Sequence, residues 1–196
     1  MPVLKATARK TQSQRREETR SLVLASAITV FANKGFTATS LEDIATDTGL
    51  TIRPIYHYFG NKIQLFAAVV EAQESLLLNR LLELDPSSLS ILYEAWDCFI
   101  DCCQQPGFVQ IVLVDGPHIL GRERLANTAV VKQVRAMLVQ GQGGLKIKSS
   151  LTKLDQEFAM RMLVGSLTEA ALMVGMNPDY DSRTMIKRVF SLFSNH

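Results

Sequence analysis

Apolar residues recur at spacings of three and four along most of the chain, which is the period of an amphipathic α-helix. The first such run begins near Ser13 and ends at Gly35, and glycine is the residue type that most often follows a helix C-terminus. Its apolar stripe consists of Leu24, Ala27, Ile28 and Phe31. The pattern therefore predicts one long helix in the first part of the chain.

The same spacing predicts further helices, separated by clusters of Pro, Gly, Asp and Ser. They cover 61–83, 89–104, 122–139, 154–175 and 182–193. Thr152 and Asp155 have the spacing of an N-terminal cap. The run from Ile111 to Val114 has the composition of a buried strand, but no other convincing strand exists to pair with it. We therefore expect a short buried helix there, ended by Gly116-Pro117, and an all-α fold with about nine helices.

Two short helical segments in the N-terminal part are joined by a tight turn at Gly49. Thr39 or Ser40 can cap the first segment, with Thr39 forming a capping box with Glu42, and Thr51 can cap the second. This is the geometry of a helix-turn-helix, in which the second helix enters the major groove of DNA.

A helix that enters the groove must bury one face and expose the other, because the groove is about as wide as one helix. Ile55 and Phe59 are expected to hold this helix against the protein. The residues left free to face DNA are Thr51, Ile52, Arg53, Tyr56 and His57. Hydroxyl and ammonium groups suit phosphates, and the candidates are Thr39, Ser40, Tyr58 and Lys62. The alternative is an aromatic helix that is simply packed in a core.

From Ala27 onward these residues strongly resemble the TetR family of transcriptional regulators. The matching positions are Gly35-Phe36, Thr39-Ser40, Ile44-Ala45, Thr48-Gly49-Leu50-Thr51, Ile55-Tyr56-His57-Tyr58-Phe59, Lys62 and Leu65. The resemblance implies a sequence-specific DNA-binding transcriptional regulator, by default a repressor that a small-molecule effector releases from its operator. It also implies a homodimer on double-stranded DNA with an inverted-repeat operator.

The second short helix departs from the family pattern at its start. Family members often carry a basic residue where this chain has Ile52, and a glycine where it has Arg53. Ile52 removes a polar contact but can touch a thymine methyl, whereas Arg53 adds donors that can recognise guanine. Pro54 falls in the first helical turn, where its missing N–H costs least. Operator sequences of other family members therefore do not transfer to this chain.

Charge is distributed unevenly along the chain. Residues 1–62 carry nine Lys and Arg against five Asp and Glu, whereas residues 63–196 carry twelve against fourteen. A basic head on a mildly acidic body suits a polyanionic partner. We expect three parts: a flexible basic arm over 1–13, a helix-turn-helix DNA-binding domain over 14–60, and a ligand-binding and dimerisation domain over 61–196.

The predicted helix over 154–175 is apolar nearly all round, so more than one of its faces must be covered. Its small residues let a second helix approach closely, and with the last helix it resembles the pair that forms the dimer interface of the TetR family. The predicted interface residues are Gly165, Ser166, Ala170, Ala171, Ile186, Val189, Phe190 and Phe193. The alternative is an ordinary core helix of a monomer.

The only Trp of the chain and several Met lie in the region between 89 and 175, where the resemblance implies an effector pocket. Flexible Met side chains repack around varied shapes, and an aromatic ring supplies a flat apolar wall. The predicted lining residues are Trp96, Phe99, Cys103, Phe108, His118, Met137, Phe158 and Met162. The same side chains could instead fill a core.

Other functional classes find less support in the sequence. No nucleophile with a base, no nucleotide fingerprint and no metal-ligand spacing is apparent, so we predict no catalytic residue, no metal site and no cofactor, and do not expect an enzyme. A helical adaptor that kept the helix-turn-helix without using it is a further alternative.

Several features favour a cytoplasmic protein. No apolar signal segment opens the chain, and a membrane span over Phe158–Met176 is disfavoured by Arg161 and Glu169. Three closely spaced cysteines are typical of buried thiols in a reducing compartment, and a thiol redox sensor is the alternative. They are Cys98, Cys102 and Cys103.

Overall fold

The computed structural model describes residues 11–140, 151–177 and 179–191. Within these residues all regular secondary structure is helical, which confirms the predicted all-α class. The elements are α1 Gln12–Ala38, α2 Leu41–Thr48, α3 Ile52–Phe59, α4 Lys62–Leu82, α5 Ile91–Cys103, a π-helical segment Val109–Asp115, α6 Gly116–Leu120, α7 Arg122–Ala126, α8 Ala129–Gln140, α9 Lys153–Met176 and α10 Ser182–Ser191.

Side-chain caps fix where the two longest helices begin. Thr11 and Gln14 form a reciprocal capping box at the start of α1, so the helix begins at Gln12, one residue before the expected end of the basic arm. Thr152 and Asp155 form the predicted box at the start of α9. Residues 1–10, which make up most of the predicted arm, lie outside the described residues.

Two stretches differ from the expected pattern in the middle of the chain. The predicted helix over 122–139 is two helices, because the Thr128 hydroxyl accepts the Val131 N–H and starts α8 afresh. Gly116 and Pro117 do not end the preceding helix. Gly116 keeps a helical φ of −53°, and Pro117 lies in the first turn of α6, where a proline is tolerated.

The chain forms a head, α1–α3, and a body, α5–α10, with α4 shared between them. The first half of α4 buries Phe66 against α1, where its ring lies 5.0 Å from Phe31 and 4.9 Å from Phe36. The second half buries Leu77 and Leu81 in the body. A rigid helix therefore spans both parts.

The body meets the head mainly where the π-helical segment packs on α1. Gly107, just before that segment, has a φ of +80°, and a Cβ there would lie 2.2 Å from the Cβ of Ala32. The backbone thus approaches α1 more closely than any side chain permits. Gly35 breaks the helical path of α1 with a φ of +72°, as its position in the sequence predicts, although one further turn follows it.

Two described helices, α1 and the Lys153–Gly175 part of α9, are long and apolar enough to cross a membrane by length and composition. Core helices of soluble proteins pass the same test, and one or two such helices are weak evidence for a span. In α1 the apolar residues Val23, Ala27 and Phe31 are buried in the core of the head.

Replacing Gly107 by alanine should strongly destabilise the protein. The positive φ costs about 1–2 kcal/mol with a side chain, and overpacking against α1 adds about 1–3 kcal/mol. Gly121→Ala is the matched control, because its φ is +89° but a Cβ there meets none of the described residues within 4 Å. Urea unfolding measures both variants, and equal losses of stability would contradict the close contact between head and body.

Candidate nucleic-acid interface and ligand cavity

The start of α2 is held by a carboxylate that serves three donors. Asp43 accepts from the Lys34 ammonium, the Ser40 N–H and the Ser40 hydroxyl, each at 2.8 Å. These interactions, led by the hydrogen bond from Lys34, hold the pKa of Asp43 well below its usual range. The cap therefore pairs Ser40 with Asp43, whereas the sequence had pointed to Thr39 with Glu42.

Thr39 is the one predicted DNA contact whose hydroxyl points into the fold. Its side chain is only 2% exposed, and its hydroxyl donates to the Gly35 carbonyl at 2.7 Å. A buried and already bonded hydroxyl cannot reach a phosphate, so Thr39 fixes the end of α1 instead. Ser40 is half-buried, and its hydroxyl is shared with Asp43.

The turn between α2 and α3 fixes their crossing. Gly49 adopts the left-handed conformation with a φ of +67°, which ends α2, and the Leu50 N–H donates to the Ala45 carbonyl at 3.0 Å. The Ser26 hydroxyl donates to Asp47 at 2.5 Å and ties α2 to α1. The two short helices therefore form a rigid unit on α1.

Helix α3 presents a polar and aromatic face to solvent. Ile55 and Phe59 are buried beneath it, as their spacing predicts. Thr51, Arg53 and His57 are exposed, and Tyr56 is 52% exposed. The half-buried members of the predicted set are Ile52 and Tyr58. The exposed face is thus continuous along the helix and ends beside α4.

Lys62 begins α4 and is held by aromatic and backbone groups. Its ammonium lies 4.3 Å from the centroid of the Phe36 ring and donates to the Thr37 carbonyl at 3.4 Å. Asn61 caps α4 by accepting the Gln64 N–H at 2.9 Å. Lys62 therefore adds a positioned positive charge beside the α2–α3 unit.

The body encloses an apolar cavity with a volume of about 120 Å³ between α4, α5, the π-helical segment, α8 and α9. Of the predicted lining residues it is lined by Trp96, Phe99 and Phe108. The other helices supply walls that the sequence pattern did not predict. They include Leu77, Leu81, Val112, Leu113, Val130, Val134, Leu163 and Leu167.

The other predicted lining residues lie outside this cavity. Phe158 is 64% exposed and Met162 is 58% exposed, both on the outer face of α9. Met137 is packed in the core, Cys103 is half-buried, and His118 is exposed at the surface. Composition selected the aromatic and Met residues of this set, but it does not say which face of a helix turns inward.

One polar pair borders the cavity. Arg124 of α7 binds Glu74 of α4 through two parallel hydrogen bonds of 2.8 and 2.9 Å, and Glu74 is among the lining residues. The indole N–H of Trp96 is buried and has no hydrogen-bond partner within the described part of the chain. The remaining walls are almost entirely apolar.

Helix α9 exposes an apolar stripe on the face away from the cavity. Its members are Leu154, Phe158, Met162 and Met173, with Gly165, Ser166 and Glu169 between them. Ala171 is fully buried within its own chain, Ala170 is half-buried and Ile186 is buried. Val189 is exposed on α10, whereas the Phe190 side chain and all of Phe193 lie outside the described residues.

The three cysteines are free thiols on α5. Burial raises the pKa of Cys98 and Cys102, and it raises the pKa of Cys103 to about 12. Protonated thiols are poor nucleophiles, which favours a packing role. Across the described residues no group of three His, Cys, Asp or Glu side chains is arranged to hold a metal ion.

Family models match both parts of the chain. The model described as bacterial regulatory proteins of the tetR family matches residues 23–69, which cover most of the head and the start of α4. The model described as a tetracyclin repressor-like C-terminal domain matches residues 90–194. The chain belongs to the TetR family.

Individual TetR-family proteins are similar over different lengths. The repressor NicS from Pseudomonas putida is 32% identical over 115 residues, 55% of this chain and 52% of NicS. The regulator AcrR from Shigella flexneri is 41% identical over 68 residues, 35% of this chain and 31% of AcrR. The matched segments therefore span about half of one relative and about a third of the other.

A solved structure covers more of this TetR-family chain. A TetR-family transcriptional regulator from Pectobacterium atrosepticum is 26% identical with a TM-score of 0.63, covering 93% of this chain and 94% of that one. The predicted fold and family are thereby confirmed. TetR-family proteins are DNA-binding transcriptional regulators and not enzymes, which removes the enzyme alternative.

Proposed function

We propose that this TetR-family regulator is a cytoplasmic repressor that binds an inverted-repeat operator as a homodimer and is released by an apolar small molecule. The observation that carries the proposal is a shared helix. Helix α4 starts at Lys62 beside the α2–α3 unit, and its second half lines the cavity with Leu77 and Leu81. Events in the cavity therefore act on a helix that also supports the DNA-binding unit.

DNA recognition is assigned to the outer face of α3. Arg53 is exposed in the first turn, where its guanidinium suits a bidentate contact to guanine in the major groove. Tyr56 and His57 follow on the exposed face. The Lys62 ammonium and the Tyr58 hydroxyl, four residues earlier in the sequence, suit phosphates that fix the orientation of the head. We take the DNA-binding domain as 14–60 with the start of α4 as its support.

Dimerisation is assigned to the outer face of α9, and its occupant is a second copy of this chain. The stripe carries four large apolar side chains that nothing covers within the described residues, so it is poorly suited to water. Gly165 and Ser166 lie in the middle of the stripe and leave room for a crossing helix. Ala171 and Ile186 are withdrawn from the predicted interface because they are buried in their own chain.

Effector binding is assigned to the apolar cavity. A ligand there would favour the conformation that holds it best, and by linkage would weaken DNA binding if that conformation spaces the two heads wrongly. Trp96 is the residue that we expect to matter most, because its ring lines the cavity and its buried N–H has no partner within the described residues. A hydrogen-bond acceptor on a bound molecule would remove the free-energy cost of leaving this buried N–H unpaired.

DNA-binding measurements should distinguish the residue that recognises bases from the residue that contacts phosphates. They are made on the DNA fragment upstream of the protein's own gene. Lys62→Ala should flatten the slope of log affinity against log salt by about two, one per subunit, for every sequence. Arg53→Ala should cost about 1–3 kcal/mol on the preferred site and relax the sequence preference. Lys132→Ala, at an exposed position of the body, is the control. If Lys62→Ala and Arg53→Ala both weakened binding equally for all DNA sequences, the assignment of Arg53 to bases and Lys62 to phosphates would be refuted.

The wild-type chain should sediment at twice its mass of 21.8 kDa at micromolar concentration. Gly165→Leu should give monomers, because a Cβ there meets nothing within 4 Å in the described part of its own chain, whereas a partner helix packed on the stripe would clash with the added side chain. Met162→Asp should do the same by charging the stripe. Leu82→Asp is the control, since Leu82 is equally exposed on α4. A wild-type monomer, or dimers of both α9 variants, would rule out this interface.

Compounds that raise the melting temperature should also release the DNA, because both effects follow from one occupied cavity. Val134→Phe, which fills the cavity, and Trp96→Ala should both weaken this stabilisation. His118→Ala, at an exposed position outside the cavity, is the matched control. Compounds that stabilise the protein but never change its DNA affinity would exclude an effector site. If the compounds bound both cavity variants as tightly as the wild type, the effector site would lie outside this cavity.

A further inference from the structure

The π-helical segment Val109–Asp115 lies between the cavity and the head. On one side Val112 and Leu113 line the cavity. On the other side the segment packs on α1, and the Asp115 carboxylate accepts the Phe36 N–H at 2.7 Å. This hydrogen bond joins residues that are 79 positions apart in the sequence, and it links the head directly to a cavity wall.

The acceptor is directed at the point where α1 loses its regular path. Gly35 has a φ of +72° and ψ of 170°, so the Phe36 N–H is turned out of the helix and needs a partner from elsewhere. A Cβ at Gly35 would lie 3.5 Å from both the Asp115 carboxylate and the Gln110 amide. Because the acceptor is charged and the site is partly buried, this hydrogen bond is one of the stronger kind.

Phe36, whose N–H donates to Asp115, also supports Lys62, one of the groups that we assign to phosphate contacts. The Phe36 ring packs on Phe31 and Phe66, and the Lys62 ammonium lies over it. The chain then runs through Thr39, bonded to the Gly35 carbonyl, into the cap of α2. A displacement of Phe36 would therefore also displace Lys62 and the start of the α2–α3 unit.

The segment has the hydrogen-bonding pattern of a π-helix. The Gly116 N–H donates to the Ile111 carbonyl, five residues back, where an α-helix would use the carbonyl four residues back. Changing from the π to the α pattern shifts the register by one residue. Such a shift turns the following side chains by about 100° and moves them about 1.5 Å along the axis. The Asp115 carboxylate would then no longer meet the Phe36 N–H.

We propose that Asp115 is the positioning residue that couples the cavity to the DNA-binding head, through its hydrogen bond to the Phe36 N–H. This inference rests on the proposed function. Filling the cavity displaces Val112 and Leu113, the π-helical segment changes register, and Phe36 loses the acceptor that fixes it. Binding of DNA, in turn, holds Phe36 in place and stabilises the π-helical segment, because coupling between two sites is reciprocal.

Reciprocity allows a test without a known effector. Hydrogen exchange over residues 109–120 is measured on the dimer, with and without the DNA fragment upstream of its gene. In the wild type, DNA should slow this exchange about fivefold or more, the lower end of usual coupling. Asp115→Ala should bind DNA more weakly, and at saturating DNA the slowing should fall to less than twofold. Asp115→Asn, which keeps an acceptor, should restore most of it.

Two further variants make the test decisive. Asp115→Ser keeps a polar side chain that is too short to reach the Phe36 N–H, and it should behave like Asp115→Ala. Asp85→Ala removes a carboxylate that bonds Ser87 in its own loop, and it should behave like the wild type. Slowing that survives in the Ala and Ser variants, or that is absent from a DNA-bound wild type, overturns the role of Asp115. A wild type that binds no DNA refutes the proposed function itself.

Discussion

The contact between α1 and the π-helical segment is the constraint on which the rest of the structure depends. Gly107 allows the body backbone to approach Ala32, and the Asp115 carboxylate satisfies the N–H that the break at Gly35 turns outward. Both glycines have positive φ values, so neither approach is available to another residue without strain. The head is therefore attached to the wall of a cavity as well as to α4.

This attachment gives the aromatic cluster of the head a double role. Phe31, Phe36 and Phe66 form the apolar centre on which α1 and α4 meet. Phe36 also contacts both Asp115 and Lys62, the first through its N–H and the second through its ring. A core that stabilises the head by burial is thus also placed to transmit a displacement.

The sequence predicted the head far better than the body, for a physical reason. In the head, short helices, caps and a left-handed glycine each leave a local signal, and the burial of Ile55 and Phe59 followed from spacing alone. The exception was Thr39, because whether a hydroxyl bonds a phosphate or the Gly35 carbonyl depends on the tertiary path of α1. The hydrogen bond of Asp115 leaves no local signal either, since its partner is distant in the chain.

In the body, apolar side chains of similar types lie on three different surfaces. Trp96 lines the cavity, Met137 fills the core and Met162 lies on the outer stripe of α9. Periodicity identifies a helix, but α9 is apolar on several faces, so its pattern cannot assign each residue to one surface. That assignment needs the positions of the neighbouring helices, which only the folded structure supplies.

Attachment of the head to the body makes the two parts one cooperative unit, and unfolding tests this property most directly. Trp96 reports on the body as the only tryptophan of the chain, and fluorine-labelled Tyr58 reports on the head. With both signals followed at one protein concentration in increasing urea, the attachment through Phe36 and Asp115 predicts a single transition with coincident midpoints. A head that unfolds at a clearly lower urea concentration than the body would contradict it.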